Sequence, residues 1–139
     1  MSEIIHAPKA PKAVGLYPHA RRVGDLLFLS GIGPRNPDGS GIPGAVYGDD
    51  GRVVDYDIAA QCHSVFRNVR AVLEAAGADW SSLVDVTVFL TNINRDFAAY
   101  NEIYAEYFRD NQPCRTTVEI TALPTPIAIE LKCIAYVPR

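Results

Sequence analysis

The sequence predicts an α+β fold, a mixed sheet with two helices packed on one of its faces. Three observations predict it. Apolar residues recur at helical spacing over two stretches, one opening at Asp57 and one near Asp96. Apolar and polar residues alternate over residues 84–90 and again over 127–137, the period of a half-buried strand. The order strand, hairpin, helix, strand, helix, strand, strand places helices as a layer over a sheet. Two helices cover one sheet face only, so other copies of the chain are expected to cover the second.

Taken in order, residues 1–13, with Pro8 and Pro11 among Lys and Ala, read as an extended N-terminal arm outside the core. Residues 14–17 read as a strand. Residues 20–23 and 26–30 read as a hairpin, because Gly24-Asp25 between apolar runs is a two-residue turn signal. Residues 31–56 hold seven Gly and three Pro and read as a long loop, of a kind that usually covers a site or an interface. From Asp57, a candidate N-cap, the residues Ile58, Cys62, Val65, Val69, Val72, Leu73 and Ala76 mark one helical face, and Gly77 supplies the stop. Val84, Val86, Val88 and Leu90 then alternate with Asp85, Thr87 and Phe89 as a strand. A second helix is expected from about Asp96. Its stripe of Phe97, Tyr100, Tyr104, Tyr107 and Phe108 reads as core or subunit contact rather than as a ligand box. A strand from Arg115 and a final strand, with Ile127, Ile129, Leu131, Cys133, Ala135 and Val137 inward, complete the sheet.

At 139 residues the chain reads as a single domain, 1–139. Its net charge of -3 argues against nucleic acid as a partner, since displacing counterions from phosphates needs a basic surface. No stretch approaches the ~18 apolar residues of a membrane span and no signal-peptide pattern opens the chain, so no membrane association and a cytoplasmic location are expected. Cys62, Cys114 and Cys133 are odd in number and widely spaced, and His6, His19 and His63 are scattered. Neither a disulfide framework nor a metal site is expected from such spacing.

The chemistry concentrates near the end. In a strand beginning at Arg115, the side chains of Arg115, Thr117 and Glu119 leave one face. A guanidinium on rigid backbone is shaped to grip a carboxylate through two parallel hydrogen bonds. Glu130, on the next stretch of strand, is placed to orient or deprotonate a water beside whatever Arg115 holds. Together they describe a site for a small carboxylate substrate. Pro124 and Pro126 interrupt the chain between them, which leaves open whether Arg115 and Glu130 share a face; an ordinary surface pair is the competing reading.

These residues also carry a resemblance. Val14-Gly15-Leu16-Tyr17-Pro18-His19-Ala20, Leu27-Phe28-Leu29-Ser30-Gly31, residues 68–77, Phe97-Ala98-Ala99-Tyr100-Asn101, the Arg115 segment and Ile129-Glu130-Leu131 stand in an order and spacing that resembles the reactive-intermediate deaminase (Rid, or YjgF-type) family. The resemblance spans nearly the whole chain. It implies hydrolysis of imines and enamines without a cofactor, a chorismate-mutase-like fold, and assembly as a homotrimer or a multiple of three with sites between neighbouring subunits. Carried over residue by residue, it implies Arg115 and Glu130 as catalytic and Tyr17, Ser30 and the backbone at Gly31 as substrate-binding. Thr117 is counted with the binding residues, and it stands where the best-known members have Cys. Within the family, residues 12–37 and the long Gly-rich loop are most similar to the 2-aminomuconate deaminases of aromatic-compound and tryptophan breakdown, which convert 2-aminomuconate and water to 4-oxalocrotonate and ammonia. That substrate has two carboxylates. A second cation is therefore expected, with Arg35 first, Arg22 and His19 next, and Arg21 and Arg52 also available. A broad 2-imino acid deaminase and a non-enzymatic ligand-binding member are the alternatives.

Overall fold

A computed structural model describes residues 2–139. Strands β1 (Ser2–Ile5), β2 (Ala20–Val23) and β3 (Leu26–Leu29) are followed by a small hairpin of β4 (Val46–Tyr47) and β5 (Val53–Asp55). Helix α1 (Ile58–Ala75), strand β6 (Leu83–Leu90), helix α2 (Ile93–Tyr107) and strands β7 (Cys114–Glu119) and β8 (Ile129–Tyr136) complete the chain. The main sheet has six strands in the order β1-β2-β3-β8-β6-β7, and β4 and β5 stand apart as a two-stranded sheet. Only β6 and β7 run parallel within it. The α2 crossover between them makes that possible, because parallel neighbours cannot be joined by a tight turn.

The helices form where their ends are satisfied. The Asp57 carboxylate accepts from the N–H groups of Ala59 at 2.9 Å and Ala60 at 3.3 Å, capping α1. At the other end Ala78 N–H reaches Leu73 O at 2.9 Å and Gly77 N–H reaches Glu74 O at 3.0 Å, a Schellman closure. Gly77 sits there at φ 74°, a conformation costly for any residue with a Cβ. Helix α2 begins three residues before Asp96. Asn92 caps it through Arg95 N–H at 3.1 Å, and Glu119 at the end of β7 accepts from Ile93 N–H at 2.9 Å. An acid beside a helix N-terminus is favoured by the helix dipole as well.

Both helices lie on one face of the sheet. Leu27, Leu29, Val86, Val88, Leu90, Ile129, Leu131, Cys133 and Ala135 point to them and are buried. The aromatic stripe of α2 belongs to this core: Tyr104 stacks on Phe108 at 4.2 Å between ring centroids, and Phe66 of α1 meets Tyr107 at 4.5 Å. The opposite face carries Phe28, Phe89, Val118, Ile134 and Tyr136 beside Thr87, Thr116, Glu130 and Lys132, and neither helix packs on it; Val118 and Tyr136 are exposed. Apolar side chains grouped in this way are of the kind that contact surfaces carry.

Two expectations are corrected near the N-terminus. Residues 2–5 of the expected arm are an edge strand paired with β2, and Ile5, Ala7 and Ala10 are buried. Residues 14–17 form bends and no strand, because Gly15 and Pro18 break the ladder and Tyr17 N–H turns back on Gly15 O at 3.1 Å. The expected loop 31–56 contains the β4–β5 hairpin, and Ile32 joins the main sheet through a bridge to Leu131. Its end is tied to α2: the Tyr56 hydroxyl donates to the buried Asp96 carboxylate at 2.5 Å, and Arg95 lies over the Tyr56 ring at 4.4 Å. Burial first and the hydrogen bond to the Asp96 carboxylate second push the Tyr56 hydroxyl up to about 12. Among the described residues no helix is long and apolar enough to cross a membrane.

Candidate active site

Strand β7 is an edge of the sheet, and Arg115 stands on its helix side. Three rings of α2 form a bed for the guanidinium, with Tyr104 at 4.7 Å, Tyr100 at 5.5 Å and Phe97 at 6.0 Å from its carbon to each ring centroid. Aromatic faces attract a cation without neutralising it. Arg115 Nη1 donates to Asn101 Oδ1 at 2.8 Å, which sets the rotation of the guanidinium plane. Arg115 takes part in none of the ion pairs among the described residues. Its charge and most of its N–H groups stay available to an incoming carboxylate. Thr117, on the same face, shares a 3.0 Å hydrogen bond with the Tyr100 hydroxyl, so it braces the aromatic bed.

Glu130 is not beside it. Arg115 is level with Val86 of β6, and Val86 with Cys133 of β8, a row that points to the helices. Glu130 is level with Phe89 and, beyond it, Val118, a row that points to the open face. Strand β6 therefore separates the two residues, and they leave opposite faces of one sheet. That answers the question the Pro124 and Pro126 turn left open. Within one chain Arg115 and Glu130 do not meet.

Glu130 joins a different group. A Cβ placed on Gly31 would lie 2.7 Å from Glu130 Oε2, so the carboxyl rests directly against the Gly31 backbone and would have to shift to admit any larger residue there. Burial alone raises its proton affinity above the ordinary carboxyl range. Beside Gly31 a small cleft is lined by Pro11, Tyr17, His19, Ser30, Gly31 and Arg35. The Tyr17 hydroxyl accepts from Val14 N–H at 3.3 Å, which leaves its own proton for a ligand. The Ser30 hydroxyl donates to Pro18 O at 2.7 Å, so toward a ligand it acts as an acceptor. Arg35 Nη2 donates to Lys12 O at 2.9 Å, and the residue lines the cleft.

Two expected cations drop out. His19 Nδ1 accepts from Ala7 N–H at 3.0 Å and its Nε2 lies 2.7 Å from Pro11 O, so both ring nitrogens are spent on pinning residues 7–11 to β2. His19 shapes the cleft wall and offers no donor to a substrate. Arg22 is buried on the helix side of β2, donates to Val137 O and does not line the cleft. Arg21 is occupied with Ser2 and Arg52 with Asp50. The sequence assigns Asn101 no role, and Tyr100 and Tyr104 are expected from it only as core or subunit contact. The spacing of Phe97, Tyr100, Asn101 and Tyr104 along one side of α2 carries that signal, once β7 is known to run beside it. Among the described residues no group of three or more His, Cys, Asp or Glu is placed to hold a metal ion.

Fold and site together define a small α+β protein with an exposed, stacked arginine at a sheet edge and a half-buried glutamate beside a glycine on the other face. The family described as endoribonuclease L-PSP matches residues 7–137, and the chain belongs to that family, which also carries the Rid, YjgF and RutC names. A RutC family protein of Pyrococcus abyssi is 40% identical over 134 residues, covering 96% of each chain. The chloroplastic Reactive Intermediate Deaminase A of Arabidopsis thaliana is 37% identical over 133 residues, 96% of this chain and 65% of that one. A solved structure of a conserved Rid family protein from Yersinia pestis superposes with a TM-score of 0.83 at 37% identity, covering 99% of this chain and 100% of that one.

Proposed function

We propose that this protein hydrolyses imine and enamine carboxylates to oxo acids and ammonia, in a site that two copies of the chain build together. One observation carries the reading. Arg115 and Glu130 each face outward with free valence, on opposite faces of one sheet, so a substrate that needs both must lie between two chains. The open apolar face supplies the contact, and the family resemblance supplies the ring of three. Solution mass measurement is expected to give a trimer or a multiple of three at every concentration that retains activity. An active monomer would remove the shared site.

The chemistry follows from the groups present. Arg115 of one copy, held flat on Tyr104, grips the carboxylate next to the C–N carbon. An enamine first takes a proton on carbon. Glu130 of the other copy, kept protonated by burial to a higher pH than an exposed carboxyl, delivers that proton and becomes a carboxylate beside the iminium. The carboxylate then takes a proton from a water whose oxygen attacks the C=N carbon, giving a carbinolamine. Glu130 next protonates the amine nitrogen, the C–N bond breaks, and ammonia leaves. The hydroxyl proton returns to Glu130 as the carbonyl forms. The Tyr17 hydroxyl and the Gly31 backbone face the developing charge.

The substrate we propose is 2-aminomuconate, with Arg35 in the cleft holding the second carboxylate. An unpaired carboxylate leaving water would carry a desolvation penalty, and Arg35 is the expected cation that the cleft retains. The name of the Arabidopsis relative, a reactive intermediate deaminase, favours a broader deaminase of 2-imino acids as the second reading. Ribonuclease action, which the family description names, fits poorly with a net charge of -3. The deciding assay supplies freshly generated 2-aminomuconate and the imine of alanine to the purified protein and follows ammonia. Higher kcat/KM on 2-aminomuconate supports the dedicated enzyme; higher kcat/KM on the alanine imine supports the broader one; no ammonia from either contradicts both.

A further inference from the structure

Arg35 sits on a segment without secondary structure of its own, Gly33-Pro34-Arg35. Helix α1 captures three successive carbonyls of that segment. Ser64 Oγ donates to Pro34 O at 2.7 Å, and Asn68 Nδ2 donates to Gly33 O at 2.8 Å and to Arg35 O at 2.9 Å. Ser64 and Asn68 are 1% and 2% exposed, one helical turn apart, on a buried helix face that they share with Gln61 and with apolar Cys62, Val65 and Val69. Polar side chains in such a place lower stability unless every group is bonded, and here the bonds all go to one stretch of main chain. Two facing carbonyls need two N–H donors from a single group, and among small neutral side chains the Asn amide supplies them. The ends of the segment are fixed as well: Ile32 is bridged to Leu131 with bonds of 2.8 and 2.9 Å, and the Arg35 guanidinium is tied to Lys12 O at 2.9 Å.

We infer that Ser64 and Asn68 are positioning residues that fix Arg35 in the cleft, and so set the preference for dicarboxylate over monocarboxylate imines. The inference rests on the deaminase reading and on Arg35 as the second cation. A guanidinium displaced by about 1 Å loses paired hydrogen bonds to a carboxylate, an error that can cost up to a hundredfold. A monocarboxylate imine, gripped by Arg115 alone, is far less sensitive to where Arg35 stands. The effect of Asn68 must then run through Arg35, which a double-mutant cycle detects.

The test measures kcat and KM for wild type, Asn68→Ala, Arg35→Ala and the double variant on three substrates: the imine of alanine, the imine of glutamate and 2-aminomuconate. Thermal unfolding checks each variant, and if Asn68→Ala does not fold, Ser64→Ala enters the same cycle. The expected result is a loss roughly tenfold greater on dicarboxylates than on the alanine imine for Asn68→Ala, mainly through KM, and less than about twofold further loss when Arg35 is already Ala. Equal losses on both substrate classes, or losses that multiply in the double variant, overturn the inference. Failure of the substrate reading looks different: wild type is then inactive on 2-aminomuconate, while the cycle on the glutamate imine still decides the role of Asn68. An Arg35→Ala loss that is the same for mono- and dicarboxylates also overturns it, because nothing selective would be left to position.

Discussion

Arg115→Ala is expected to abolish deamination at subsaturating substrate while the protein stays folded. The guanidinium lies on an exposed edge strand and its hydrogen bond goes to the neutral Asn101 amide, so truncation leaves no buried charge behind. The substrate loses a bidentate, partly desolvated contact. Truncating such a partner costs about 2–5 kcal/mol, which is a fall in kcat/KM of roughly thirtyfold to several thousandfold. Arg115→Lys should recover little, because an ammonium makes no parallel pair of bonds and stacks poorly on the Tyr104 ring. Near-normal turnover by the Ala variant would make Arg115 a structural cation.

Glu130→Gln is expected to lower kcat by about a hundredfold or more with little change in KM, since the group moves protons and does not hold substrate. A raised KM at unchanged kcat would assign Glu130 to binding instead. The same variant should alter stability in the other direction. Burial raises the Glu130 carboxyl above its unfolded value, so the native state holds that proton more tightly than the unfolded chain does. The stability this contributes is complete below the unfolded carboxyl range and is lost as pH rises through the folded value. Above that value the ionised carboxylate is a burden that Gln removes. Glu130→Gln should therefore unfold at a higher temperature than wild type wherever the pH lies above the folded value, and the advantage should shrink as the solution is acidified through it.

Much of this was legible in the residues. The face of α1 is written in Cys62, Val65, Val69, Val72 and Leu73, and its ends in Asp57 and Gly77, because capping and burial are local matters. The alternation in β8 is equally plain, since every inward residue from Ile129 to Ala135 is buried. What stayed hidden is what depends on partners far along the chain. Nothing local says that β6 lies between β7 and β8, and that one fact puts Arg115 and Glu130 on opposite faces. Residues 2–5 pair with β2 although the prolines that follow made the whole arm look extended and loose. His19 looked like a ligand for a carboxylate until the turn of residues 7–11 claimed both of its nitrogens. Arg35 stayed in the cleft, and the reason lies in α1, some thirty positions away, through Ser64 and Asn68.

The shared site can be tested by mixing two dead proteins. Arg115→Ala and Glu130→Gln chains, each inactive alone, are coexpressed with different tags and the mixed assemblies are purified. In a ring of three where each site takes Arg115 from one subunit and Glu130 from its neighbour, every mixed trimer of either composition keeps one site in three intact, so about a third of wild-type activity should return. Mixed assemblies that form normally and stay inactive would contradict the account, because the two residues would then have to act within one chain.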